Sequence, residues 1–107
     1  MAEQSSVTVE RGTDTTFVTL NEERIVEPAQ IASLSDAILP VAEDLGERKL
    51  VLNFGNVQFM SSAVLGLVIR IHKKVAEQGG RLEIWNLEPK LRQVFEITRL
   101  TEILDIV

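Results

Sequence analysis

The chain has 107 residues and a mass of 11.9 kDa, enough for one domain around one buried core. Hydrophobic types make up 45% and charged residues 25%, a globular balance that excludes a disordered chain, a collagen-like fibre and a coiled coil. Eleven basic residues against sixteen acidic ones leave a net charge of −5, and there are only four phenylalanines and one tryptophan. Phosphate neutralisation and base stacking are both poorly supplied, so nucleic acid is not an expected partner.

Residues 1–6 are polar and read as a flexible N-terminus ahead of a single domain over 7–107. Val7-Thr8-Val9 alternates, Arg11-Gly12-Thr13-Asp14 carries turn chemistry, and Thr15 to Leu20 is rich in β-branched residues. These stretches predict a hairpin across Gly12. Asn21 to Glu27 is a charged connection. Pro28 suits the first turn of a helix, and Ile31, Leu34, Ile38, Val41 and Leu45 then recur at helical spacing. Pro40 within that pattern predicts either a kink or a split, and Gly46 is the expected C-cap. Lys49 to Phe54 is a nearly continuous apolar run, the pattern of a strand covered on both faces. Ala63 to Gln78 reads as a helix closed by Gly79-Gly80, and Arg81 to Trp85 as an alternating strand. Leu87, Leu91, Val94 and Phe95 share one face of a helix over 88–98, and Ile103 to Val107 is the closing edge strand. The order β-β-α-β-α-β-α-β predicts an α/β fold, a mixed β-sheet with helices packed on it.

The catalytic inventory is thin. Without cysteine there is no disulfide framework and no thiolate chemistry, which fits a cytoplasmic protein. No signal peptide is visible at the start. The longest nearly apolar run, Ala63 to Ile69, is far short of the roughly 20 residues that span a bilayer, so no membrane insertion is expected. The only histidine, His72, lies ten positions from Ser62 on one predicted helix. That is about 15 Å along the axis, too far for a nucleophile and its base. No zinc-ligand spacing surrounds His72, and no phosphate-binding glycine loop precedes a helix. Glu22-Glu23 reads as solvated surface. The chain is therefore not expected to be an enzyme, and no metal or cofactor is expected.

The informative segment is Phe59-Met60-Ser61-Ser62-Ala63-Val64-Leu65-Gly66-Leu67. It joins a buried strand to a buried helix, where functional groups collect in α/β units. Ser61 or Ser62 is the expected N-cap, its hydroxyl accepting a hydrogen bond from the first turn. Val64, Leu67, Val68, Ile71 and Val75 centre the helix's apolar face, and Leu65, Ile69, His72 and Ala76 extend one shoulder. The arc is about 200° wide, roughly twice that of an ordinary surface helix. Either a neighbouring element covers the shoulder, or Leu65 and Ile69 are exposed beside the serines as a docking surface.

Together these features resemble the STAS domain, in particular the bacterial anti-sigma-factor antagonists. The resemblance runs from about Val7 to Val107. It rests on the hairpin, the strand Leu50 to Phe54, Phe59-Met60-Ser61-Ser62 with Leu65-Gly66, the Gly79-Gly80 turn, and Leu91 with Val94-Phe95. It implies a partner: an anti-sigma factor with serine kinase activity, bound by the unphosphorylated antagonist. Phosphorylation of a serine at this helix start blocks binding, and a PP2C-type phosphatase restores it. The family pattern Met-Asp-Ser-Ser/Thr-Gly-Leu-Gly aligns Met60, Ser62 as acceptor, and Leu65-Gly66. Ser61 stands in place of Asp, Ala63 in place of Ser or Thr, and Val64 in place of Gly.

Two functions follow from the resemblance. One is an antagonist switched at Ser62, with Ser61 the secondary acceptor and Ser61, Ser62, Leu65 and Ile69 the partner-binding residues. The other is a STAS module that only binds, as the cytoplasmic partner of a transporter or sensory assembly. Ser61, Val64 and Ile25 favour the second; Ser62 and the single-domain length favour the first.

Overall fold

A computed structural model describes residues 6–107. The expectation of a flexible N-terminus at 1–6 falls outside the described residues except at Ser6, whose carbonyl accepts a hydrogen bond from Asn21 N at 2.9 Å. Strands β1 (Val7–Arg11) and β2 (Thr15–Leu20) form the predicted antiparallel hairpin. Gly12 is required at its tip, because a Cβ there would lie 2.8 Å from the Thr15 carbonyl oxygen that its own amide bonds. A two-residue strand, β3 (Arg24–Ile25), follows, and then helix α1 (Pro28–Glu43). Next come β4 (Lys49–Asn53), β5 (Phe59–Met60), α2 (Ala63–Glu77), β6 (Arg81–Trp85), α3 (Pro89–Ile97), a single 3-10 turn at Leu100–Glu102, and β7 (Asp105–Ile106).

The main sheet runs β1-β2-β4-β6-β7, with β1 antiparallel and every other pairing parallel. The mixed α/β sheet anticipated from the element order is the one observed. Register puts Thr16, Leu50 and Leu82 in one row and Val18, Leu52 and Ile84 in the next, all buried. This is the face the helices cover, through Leu34 and Ile38 of α1, Val64, Val68 and Ile71 of α2, and Leu91 and Phe95 of α3. Phe95 meets Phe54 edge-on at 6.2 Å, and both rings are fully buried. Burial of such a side chain is worth about 1.5–3 kcal/mol, which anchors the short α3. The opposite face is more open. Val51 is buried there beside Phe17, which meets Trp85 edge-on at 5.6 Å. Glu83 accepts a hydrogen bond from Trp85 Nε1 at 2.9 Å and pairs with Lys49 at 3.4 Å. At the edge, the Arg81 guanidinium donates to Asp105 at 2.8 Å, which raises the arginine pKa further and ties β7 to β6.

Several local expectations need correction. Pro40 does not split α1, which continues to Glu43; it is exposed, and the helix runs only three residues beyond it. The C-cap is Asp44 rather than Gly46, and Gly46 turns the loop two residues later at φ +69°. Val94 is 37% exposed and does not share the buried face of Leu91 and Phe95, because the nine-residue α3 presents only a narrow stripe to the core. Gly79 does close α2, in the left-handed region at φ +81°. Among the described residues, no helix is long and apolar enough to cross a membrane.

Candidate functional site

The parallel strands β2, β4 and β6 end together, and the loops beyond them are joined by polar side chains. Asn53 Oδ1 accepts from Gly55 N at 2.9 Å and from Asn86 Nδ2 at 3.0 Å, while Asn56 Nδ2 donates to the Leu20 carbonyl at 3.3 Å. From this end the chain enters β5, which pairs in parallel with β3, Arg24 opposite Phe59 and Ile25 opposite Met60. The Glu23 carbonyl accepts from Gln58 N and Phe59 N, and the Ile25 carbonyl accepts from Ser61 N at 2.9 Å. The backbone before the serines is thereby fixed. Gln30 of α1 fixes the other partner: its Nε2 donates to the Arg24 carbonyl at 2.7 Å, and its Oε1 accepts from Val26 N and Glu27 N, each at 2.9 Å.

Neither serine caps α2 as expected. Ser62 occupies the cap position with helical angles (φ −64°, ψ −18°), and its hydroxyl makes no cap hydrogen bond. Backbone carbonyls fill that role: Val64 N donates to Ser61 O at 3.1 Å and Leu65 N to Ser62 O at 3.0 Å. Once the cap residue itself turns helical, its side chain no longer lies over the first-turn amides. The two hydroxyls differ sharply. Ser62 is exposed, whereas Ser61 Oγ is buried without a hydrogen-bond partner. Val64, where the family pattern has glycine, is 1% exposed and faces the core, so it obstructs nothing at the surface.

Leu65 is not an exposed docking residue. It is 7% exposed and belongs to the core cluster, while Ile69 and His72 are half-buried. The wide apolar arc has a tertiary cause: α2 packs against both α1 and β6, and two neighbours cover more of a helix than one. The exposed apolar groups near the serines are instead Phe59, 52% exposed with the Arg24 guanidinium 4.9 Å from its ring centre, and Val26, 41% exposed. Sequence reasoning missed both: Phe59 lies in a two-residue strand, which carries no readable alternation, and Val26 in the short connection after another. Beside them an open groove of about 440 Å³ runs between α1 and α2. Val26, Pro28, Ile31 and Ala32 line it from the β3–α1 side, with Ser35 and Asp36 further along; Ser61, Ala63 and Arg70 line it from the α2 side. The spacing of Pro28, Ile31, Ala32 and Ser35 was the available signal, a second stripe beside the core stripe of α1. Among the described residues, no cluster of three metal-ligating side chains exists.

This frame is that of a small α/β domain, with a mixed sheet, helices on one face and an exposed serine opening the second helix. The STAS domain family matches residues 7–107, and the chain belongs to that family. The anti-sigma-B factor antagonist of Bacillus subtilis is 36% identical over 73 residues, 68% of this chain and 65% of its own length. A relative from Bordetella bronchiseptica is 38% identical over 63 residues, 54% of its length, so the chain spans less than two thirds of the length of each of these two relatives. An anti-sigma-factor antagonist (STAS) domain protein from Planctomyces limnophilus superposes with a TM-score of 0.85 at 18% identity, covering 94% of this chain and 87% of that one. The anti-sigma factor antagonist SpoIIAA, solved in its unphosphorylated form, superposes at 0.77 with 20% identity over 94% of this chain and 87% of its own. Its phosphorylated form superposes at 0.70 with 21% identity over 94% and 90%. At these identities the likeness is one of fold.

Proposed function

We propose that the chain is an anti-sigma-factor antagonist that binds an anti-sigma factor with serine kinase activity and is switched by phosphorylation of Ser62. The observation that carries the reading is the contrast between the two hydroxyls: Ser62 is exposed at the start of α2, and Ser61 Oγ is buried. Ser62 is therefore the acceptor and Ser61 is not. The names of the relatives support the antagonist role, and a related fold solved with and without phosphate supports the switch. Phosphorylation adds about −1.5 to −2 charges. The start of a helix tolerates that charge through its dipole. The exposed apolar groups Phe59 and Val26 would then lie near a dianion, and burying that charge under a partner without compensation is costly. Ser61, Ser62, Phe59 and Val26 form the partner face, with half-buried Ile69 further along α2; Leu65 supports it from within the core. A PP2C-type phosphatase resets the switch, and the setting is the cytoplasm. The chain binds and is modified; it is not itself an enzyme.

The test is direct. The protein is incubated with ATP and the anti-sigma kinase of its own organism, and its intact mass is recorded. A gain of one phosphate in the wild-type chain, absent in Ser62→Ala and retained in Ser61→Ala, is the expected result. No gain from a kinase that is active on another substrate would overturn the switch. It would leave a STAS module that only binds, such as the partner of a transporter or sensory assembly.

A further inference from the structure

We infer that the α1–α2 groove seats an amphipathic segment of the protein partner, apolar along its centre, with a carboxylate meeting Arg70 and a cation meeting Asp36. The inference rests on the reading of this face as the partner face and specifies the chemistry of the contact. Val26, Pro28, Ile31, Ala32 and Ala63 supply apolar surface within the groove. Arg70 and Asp36 line it from opposite sides, and among the described residues neither makes an ion pair or side-chain hydrogen bond. A lone anion would be attracted by Arg70 and repelled by Asp36, and a lone cation the reverse. A segment carrying both signs satisfies both, and the charges then fix its direction across the groove. Outside the groove lining, Phe59 is also exposed, on the strand that pairs with β3 just before the groove residue Val26.

The groove is coupled to the switch by helical geometry. Ser62, Gly66 and Arg70 recur every four residues, and all three are exposed. Ser62 and Arg70 are about 12 Å apart along the axis, and Gly66 places no side chain between them. A phosphate on Ser62 would add negative charge at the end of the row along which the partner's carboxylate docks. Like-charge repulsion then acts on the segment that Arg70 attracts.

The experiment uses the full chain and its own anti-sigma kinase, with affinity measured by calorimetry. Arg70→Ala and Asp36→Ala should each weaken binding about tenfold, and Ala32→Trp, which fills the groove, at least as much. Lys73→Ala removes a cation from the same helix outside the groove and should change affinity by less than about twofold. The Arg70→Ala deficit should shrink in high salt, where the lost attraction is screened. Thermal midpoints identify any variant that fails to fold; the two alanine changes are at exposed positions and keep the test valid if Ala32→Trp does not. Wild-type affinity in all three groove variants, or an equal loss in Lys73→Ala, would overturn the groove while leaving the antagonist reading intact. No binding by the wild-type chain would overturn both.

Discussion

A methyl group added at Gly66 would meet no atom within 4 Å, whereas one added at Gly80 would lie 2.7 Å from Arg48 O and 2.8 Å from Gly46 O. Gly66 sits mid-helix on the exposed side of α2, where glycine gives up chain entropy for no packing gain. Gly66→Ala should therefore raise stability by about 0.5–1 kcal/mol. Gly80→Ala forces two backbone oxygens apart and should lower it by about 1–3 kcal/mol. Urea midpoints for the two variants should move in opposite directions; a lower midpoint for Gly66→Ala would mean that the helix surface there is not open. A residue that weakens its own helix yet lies between Ser62 and Arg70 fits selection for close approach by a partner.

Two glutamines join elements that hydrophobic periodicity alone leaves apart. Gln30 bonds the end of β3 to the start of α1. Gln78 donates to the carbonyls of Ala42 and Lys74 and accepts from Gly46 N, joining the end of α2 to that of α1. Gln30→Ala removes partners from the Arg24 carbonyl and two amides, all exposed to water, and should cost about 0.5–1.5 kcal/mol. It should also speed hydrogen exchange at Ser61, whose amide bonds Ile25 of the same β3. An unchanged Ser61 exchange rate would show that β3 holds the serine segment without Gln30. The helices, the hairpin and the β4 and β6 strands were legible because each repeats its apolar spacing over several residues. The centre of the α2 core face, Val64 to Val75, was legible for the same reason. The β3–β5 pairing was not, since two residues have no period. The fate of Leu65 was not legible either, because its cover is set by neighbours distant in sequence. Cap chemistry pointed to the serine hydroxyls, but backbone carbonyls took the amides first.

At the scale of the whole molecule, the helices cover one face of the sheet and the serine site lies beyond its strand ends, while Trp85 sits on the opposite face against Phe17. Ser62 makes no side-chain hydrogen bond that holds α2 in place, and the core residues of that helix begin at Val64. A charge placed on Ser62 therefore has no internal contact to break. It instead meets the positive end of α2, an interaction worth about 0.3–1 kcal/mol at low ionic strength. Ser62→Glu should keep the thermal midpoint at or slightly above that of the wild type, with the gain fading as salt is added. Trp85 emission should stay unchanged, since its packing partners do not move. Binding to the anti-sigma partner should nevertheless be lost. A fall of several kcal/mol in stability, or a red shift of Trp85, would mean that the switch works by loosening the domain. Retained stability with lost binding would mean that it works by changing the sign of one exposed surface.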